Sequence, residues 1–110
     1  MKTFNYEIDI SKLTLAERET LEASKLTQKG VFELYFNQAL NLQSQGRGIK
    51  AAEGRAFVRI CNKLDLASGP DLELEEFEFE LLKSAFLFPE ATWQPAQYRI
   101  VLQYLSKFES

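Results

Sequence analysis

Apolar residues are densest between Val31 and Leu42, in the run VFELYFNQALNL. On a 3.6-residue spiral Val31, Phe32, Leu34, Tyr35, Phe36, Ala39, Leu40 and Leu42 cover well over half the circumference, where an ordinary surface helix carries a narrower stripe. The pattern predicts a central helix over 28–44 with neighbours on two or three sides. Thr27 supplies its N-cap and Gly30 is tolerated in its first turn. Gly46-Arg47-Gly48 ends it and reads as the least constrained backbone in the chain.

The flanking patterns supply the remaining elements. In residues 3–10, TFNYEIDI, Phe4, Tyr6, Ile8 and Ile10 share one parity, which predicts a half-buried strand. Thr14 and Glu17 match a capping box, so a first helix is expected over 15–25. Its polar content makes it a lid on the surface. A third helix over 50–66 places Ala52, Ala56, Phe57, Ile60, Cys61 and Leu64 on one side. Glu53 falls inside that arc and requires either a later helix start or a basic partner, because a lone buried carboxylate is costly.

Ser68-Gly69-Pro70-Asp71 is the clearest break. Leu72 and Leu74 then read as a short strand, followed by a helix from Glu75 with Phe79, Leu82 and Phe86 at helical spacing. Glu75, Glu76 and Glu78 suit the positive end of that helix. The rival, a strand continued through Phe77 and Phe79, would put Glu76 and Glu78 on the face of Leu72 and Leu74. Phe77 and Phe79 are expected to be partly buried. Pro89 ends the element, and Pro95 opens the last helix where its missing N–H costs nothing. The buried seam there is expected to be Tyr98, Val101, Leu102, Leu105 and Phe108. The expected fold class is mainly α (α+β): about five helices packed around the central helix 28–44, with a minor two-stranded sheet from 3–10 and 71–74. One domain should span 1–110.

Composition changes the chemistry more than the fold. The 110 residues contain no histidine, which removes the commonest general base and most transition-metal sites. The single cysteine cannot form an intrachain disulfide, and Cys61 on an apolar helix face is expected to be a core residue. A mean hydropathy of −0.24, no long apolar run and a polar, acidic N-terminal decade predict a cytoplasmic protein with no membrane partner. A formal charge of −3 disfavours broad binding to phosphate backbones.

Charge is segregated along the chain. Arg47, Lys50, Arg55, Arg59 and Lys63 face only Glu53 in their segment, whereas Asp71, Glu73, Glu75, Glu76, Glu78 and Glu80 run without a basic residue. Arg55, Arg59 and Lys63, spaced four apart, form one stripe. They make either a ridge for an acidic partner, nucleic acid or another subunit, or a solvated flank paired with the acidic segment of the same chain. Trp93 and Tyr98, with Phe86 and Phe88 around Pro89, are either an aromatic interface or a core closing over a loop. The sequence GRGIKAAEGR lacks phosphate-loop spacing, and the pair Glu76 and Glu80 is too common to mark a metal site. No catalytic, cofactor-binding or metal-binding residue and no small-molecule substrate is expected.

Leu72, Leu74, Glu76, Leu81-Leu82-Lys83 and Ile100-Val101 carry a likeness. The second half resembles small accessory proteins of tailed bacteriophages and prophages, with a short strand, an acidic helix start, an aromatic–proline break and a closing amphipathic helix. The resemblance implies an assembly-related, phage-encoded protein acting through protein contacts in the bacterial cytoplasm or in association with the virion. The reading that follows is a non-enzymatic, self-associating interaction protein, with Arg47, Lys50, Arg55, Arg59, Lys63, Trp93 and Tyr98 as partner-binding residues. The alternative is a small nucleic-acid-binding regulator that uses the basic stripe.

Overall fold

In the computed structural model, which describes residues 1–108, the helix α2 spans Gln28–Ser44 and packs against three other helices. Thr27 caps it, its hydroxyl oxygen accepting the Gly30 N–H at 3.1 Å. Val31, Phe32, Tyr35, Phe36, Ala39 and Leu40 are buried. Leu34 stays half-exposed and Leu42 partly so, which makes the buried arc narrower than the sequence pattern suggested. Phe32 is the hub. Its ring lies 5.4 Å from Phe4, 5.8 Å from Phe36 and 5.8 Å from Tyr104 between centroids, in the tilted and offset geometries aromatic pairs favour.

The expected five helices and two strands are present. They are β1 (Lys2–Asn5), α1 (Leu15–Ser24), α2, α3 (Ala51–Leu66), β2 (Asp71–Leu74), α4 (Glu76–Phe86) and α5 (Tyr98–Ser106). Strands β1 and β2 pair antiparallel, with Lys2 opposite Leu74 and Phe4 opposite Leu72. Helices α3 and α4 pack on each other and on α2. The long-strand alternative for 71–80 is not what forms.

The strand expected over 3–10 stops at Asn5, and the reason is the length of its partner. Pro70 and the start of α4 bound β2 to four residues, so only the Tyr6 N–H finds a further backbone acceptor, the Pro70 carbonyl at 3.0 Å. Beyond Tyr6 the chain remains extended, with Tyr6 and Ile8 inward, but side chains satisfy its backbone. Gln28 accepts the Ile8 N–H at 3.0 Å and donates to the Ile8 carbonyl at 3.1 Å. Gln103 serves Asp9 in the same two ways. Lys107 donates to the carbonyls of Asn5 and Glu7. Asp9 then caps a 3₁₀ turn over Ile10–Lys12, which sends Ile10 outward.

Other expectations are refined. The capping box of Thr14 and Glu17 opens α1, which buries no side chain fully and lies over the body as a surface helix. It closes one residue early, at Lys25 in the left-handed conformation. Glu53 is explained by the later helix start: α3 begins at Ala51, so Glu53 stands at its third position and its carboxylate accepts the Lys50 N–H at 3.1 Å. The GRG loop is also more constrained than its composition implied. Gly46 and Gly48 adopt φ of 77° and 85°, and the Gly46 N–H returns to the Asn41 carbonyl at 3.1 Å.

The seam of α5 is rotated from the expected one. Ile100, Val101 and Tyr104 are buried, Leu105 and Phe108 partly so, and Tyr98 and Leu102 point outward. A 3₁₀ turn over Pro95–Gln97 delays the helix to Tyr98, leaving Tyr98 and Leu102 on the outer side. Phe79 packs edge-on against Phe108 at 5.7 Å, whereas Phe77 is half-exposed rather than part of the core.

This division of α2 is measurable. Phe32→Ala should cost about 3–5 kcal/mol in urea unfolding, as aromatic truncations in tight cores do, while Leu34→Ala should change stability by about 0.5 kcal/mol or less. Comparable losses at the two positions would contradict the packing described.

Candidate interaction surface

Two of the five basic residues in the α3 region are committed inside the chain. Helix α3 places Arg59 and Lys63 one turn apart, and α4 presents Glu78 to both of them. Glu78 is completely buried. One carboxylate oxygen accepts Lys63 Nζ at 2.6 Å and the Glu75 N–H at 2.9 Å, and the other accepts Arg59 Nε at 2.9 Å. Lys63 Nζ also donates to the Glu73 carbonyl at 2.9 Å, which ties α3 to β2. Burial alone would push the Glu78 carboxyl up. The bonds from Lys63, the Glu75 N–H and Arg59 outweigh it and hold that carboxyl below the usual glutamate range.

The other three basic residues are placed differently. Arg47 lies in the glycine loop, Lys50 at the N-cap of α3 and Arg55 on its outer face; all are exposed, and none has an ion-pair partner among the described residues. Around them lie the partly exposed Ile49 and an exposed Val58. An open, shallow hollow of about 650 Å³ is lined by Ala51, Gly54, Arg55, Val58 and Arg59. The stripe of Arg55, Arg59 and Lys63 is therefore divided: Arg55 faces solvent, and the other two face Glu78.

The aromatic pair read as an interface is divided too. Trp93 is partly buried, stacked on Tyr35 at 5.8 Å with 13° between planes and near-parallel to Phe86 at 6.4 Å. It closes the core over the loop after α4. Tyr98 is exposed, beside Leu102 on the outer side of α5. Cys61 is partly buried, and burial with the nearby carboxylates of Glu33 and Asp65 pushes its thiol up to about 11. A thiol so placed stays protonated at neutral pH. Glu76 and Glu80 are exposed, and among the described residues no group of three or more His, Cys, Asp or Glu is placed to hold a metal. No helix among the described residues is long and apolar enough to cross a membrane.

Sequence reasoning did not single out Glu78. The available signal was its place three residues after the helix start, opposite Arg59 and Lys63, which are themselves one turn apart. Nor did it single out Leu66, the most exposed leucine of the chain at 86%.

The sign of the pH dependence follows from the lowered carboxyl. The contribution of Glu78 is complete above the ordinary glutamate value near 4.5 and is lost as pH falls through the lower folded-state value. Glu78→Gln should cost about 2–3 kcal/mol at neutral pH. That is less than a fully buried pair would lose, because the Arg59 and Lys63 side chains keep 52% and 33% of their exposure and can be resolvated. The same variant should flatten the fall in stability as pH drops below 4.5, read from the fluorescence of the single tryptophan, Trp93, during denaturation. An unchanged acid slope would contradict this assignment. Comparison of the chain with protein-family models, curated proteins and solved structures finds no match.

Proposed function

We propose that this chain is a non-enzymatic interaction protein, acting by contact with another copy of itself or another protein through the outer face of α3 and the loop before it. The observation that carries the reading is the set of cations Arg47, Lys50 and Arg55, without an ion-pair partner among the described residues, around the exposed apolar Ile49 and Val58. A cationic rim around an apolar centre is the make-up of a protein contact, with arginine among its preferred anchors. Tyr98 and Leu102 on α5 offer a second, smaller apolar contact. The phage-like pattern of the second half supports an assembly or accessory role in a phage-encoded setting, in the host cytoplasm or on the virion.

A second reading, nucleic-acid binding, draws on the same three cations, which sit at a helix start and in a glycine loop. With Arg59 and Lys63 engaged by Glu78, about three phosphate contacts remain. That predicts a slope of log affinity against log salt no steeper than about −2.7, too shallow for firm retention at physiological salt.

Two measurements on the intact chain separate the readings. The interaction reading expects a concentration-dependent mass in light scattering that Arg55→Glu reduces, with no retention on duplex DNA at physiological salt. Retention of the unaltered chain on DNA, lost in Arg55→Glu, would overturn it in favour of the second.

A further inference from the structure

We propose that the outer stripe of α3 is the contact of a two-fold dimer, in which α3 of one copy lies antiparallel on α3 of a second. This deepens the self-association in the preceding reading and rests on it.

Ala51, Arg55, Val58, Asn62 and Leu66 follow one another at spacings of three and four residues along one face of α3, and all are exposed. Helical spacing therefore makes them a single row about 24 Å long. The row is polar in charge. At its start stand Lys50 and Arg55, with Arg47 in the loop just before them. At its end stand Asp65, itself exposed, and the carboxylates of Asp71 and Glu73, which share a hollow of about 350 Å³ with Leu66. Two cations at that end are held against the chain, Lys63 by Glu78 and the Glu73 carbonyl and Lys29 by the Ala67 carbonyl at 2.7 Å and the Asp65 carbonyl at 3.4 Å. Met1 lines the same hollow. In the middle is Val58, 57% exposed.

A row that is basic at one end, acidic at the other and apolar between is complementary to its own reverse. Two copies laid antiparallel bring Arg55 of each toward Asp65 of the other and set Val58 near the two-fold axis. They also direct each Leu66 toward the opposite hollow of Ala51, Gly54 and Val58. Parallel packing would instead face like charges along the whole row, which is disfavoured. Each contact is made twice, as in any two-fold interface. Gly54 fits the same picture. Inside a helix glycine is the least favourable residue after proline, and a Cβ there would meet Ile49 only at an ordinary 3.8 Å. The fold does not need the glycine. A leucine arriving from a second chain does.

One helix pair covers less than the roughly 800 Å² per partner of a standard interface, so the dimer should be weak and visible at high micromolar concentration. Sedimentation equilibrium over micromolar to millimolar concentrations tests it. Arg55→Glu alone and Asp65→Arg alone should each give a monomer, because each places like charges together twice. An equimolar mixture of the two variants should give a one-to-one dimer, since both pairings are then opposite in sign. Both residues are exposed, and circular dichroism confirms that the variants fold. A dimer that neither variant weakens overturns this geometry and leaves self-association standing. Two monomeric variants whose mixture stays monomeric, or an unaltered chain that forms open-ended assemblies, also overturns the geometry. An unaltered chain that is monomeric throughout overturns this geometry and self-association together.

Discussion

The carboxylate of Glu78 sets the terms for the rest of the surface. A lone ionised carboxylate in a protein interior is costly, and this one is retained only because three donors converge on it: Arg59, Lys63 and the Glu75 N–H. Two of those donors lie on α3 and one at the N-cap of α4, so the group does more than neutralise charge. It fixes the rotation of α3 about its own axis relative to α4. Once Arg59 and Lys63 are turned inward toward Glu78, helical geometry leaves Arg55, Val58 and Asn62 no direction but outward. Ala56, Ile60 and Leu64 complete the inner side with no measurable exposure. One buried ionic contact thus decides which cations are structural and which remain available to a partner.

The aromatic core works by a different constraint. Phe4, Phe32, Phe36, Phe86 and Tyr104 come from β1, α2, α4 and α5; Phe4, Phe36 and Tyr104 each lie within 5.8 Å of Phe32, and Phe86 lies 5.3 Å from Tyr104. Elements from both ends of the chain meet there. The C-terminal turn is part of the same arrangement: Phe108 stacks on Phe4 at 5.3 Å, while Lys107 satisfies carbonyls in the extended segment after β1. The minor sheet is short because β2 offers only four residues, and beyond it side chains take over the hydrogen bonding of the extended segment. Extended chain and paired strand are separate properties here, joined only where β2 offers a backbone.

That separation explains much of what could and could not be read beforehand. The alternation of Phe4, Tyr6, Ile8 and Ile10 told which side chains turn inward as far as Ile8, because burial follows parity while the chain stays extended, and it failed at Ile10, where the 3₁₀ turn begins. It could not tell where pairing stops, because that depends on Pro70 and the start of α4 some seventy residues away. Local signals were read well where their physics is local: the box of Thr14 and Glu17, the cap at Thr27 and the break at Ser68 to Asp71. The α5 seam was misplaced by mixing two adjacent rows, Tyr98 with Leu102 and Val101 with Tyr104, which differ by less than a third of a turn. At the candidate surface, Arg55, Arg59 and Lys63 look equivalent in a row of four-residue spacings. Each step of four drifts by about 40° around the helix, and over two steps that drift separates an outward arginine from an inward lysine. Glu78 was hidden among six acids, where its place three residues after the helix start is a weaker mark than its burial.

Exposed apolar side chains by themselves say little, since singly scattered ones are ordinary on soluble domains. Leu15, Leu34 and Leu102 are half-exposed or more, and they lie on three different helices. Val58 and Leu66 differ because they share one exposed row of one helix with Ala51, and Gly54 lies beside it. Helix α3 is also held on its inner side more firmly than its length requires, through Ile60, Leu64 and the Glu78 contact. An anchored helix that keeps alanine, glycine and valine outward presents a rigid and nearly smooth backbone surface. Rigidity lowers the entropy lost on association, and a smooth surface lets a neighbouring helix approach closely. The features that make α3 stable against its own chain therefore make it a suitable platform for another. Neither would follow if Arg59 and Lys63 were free to turn outward.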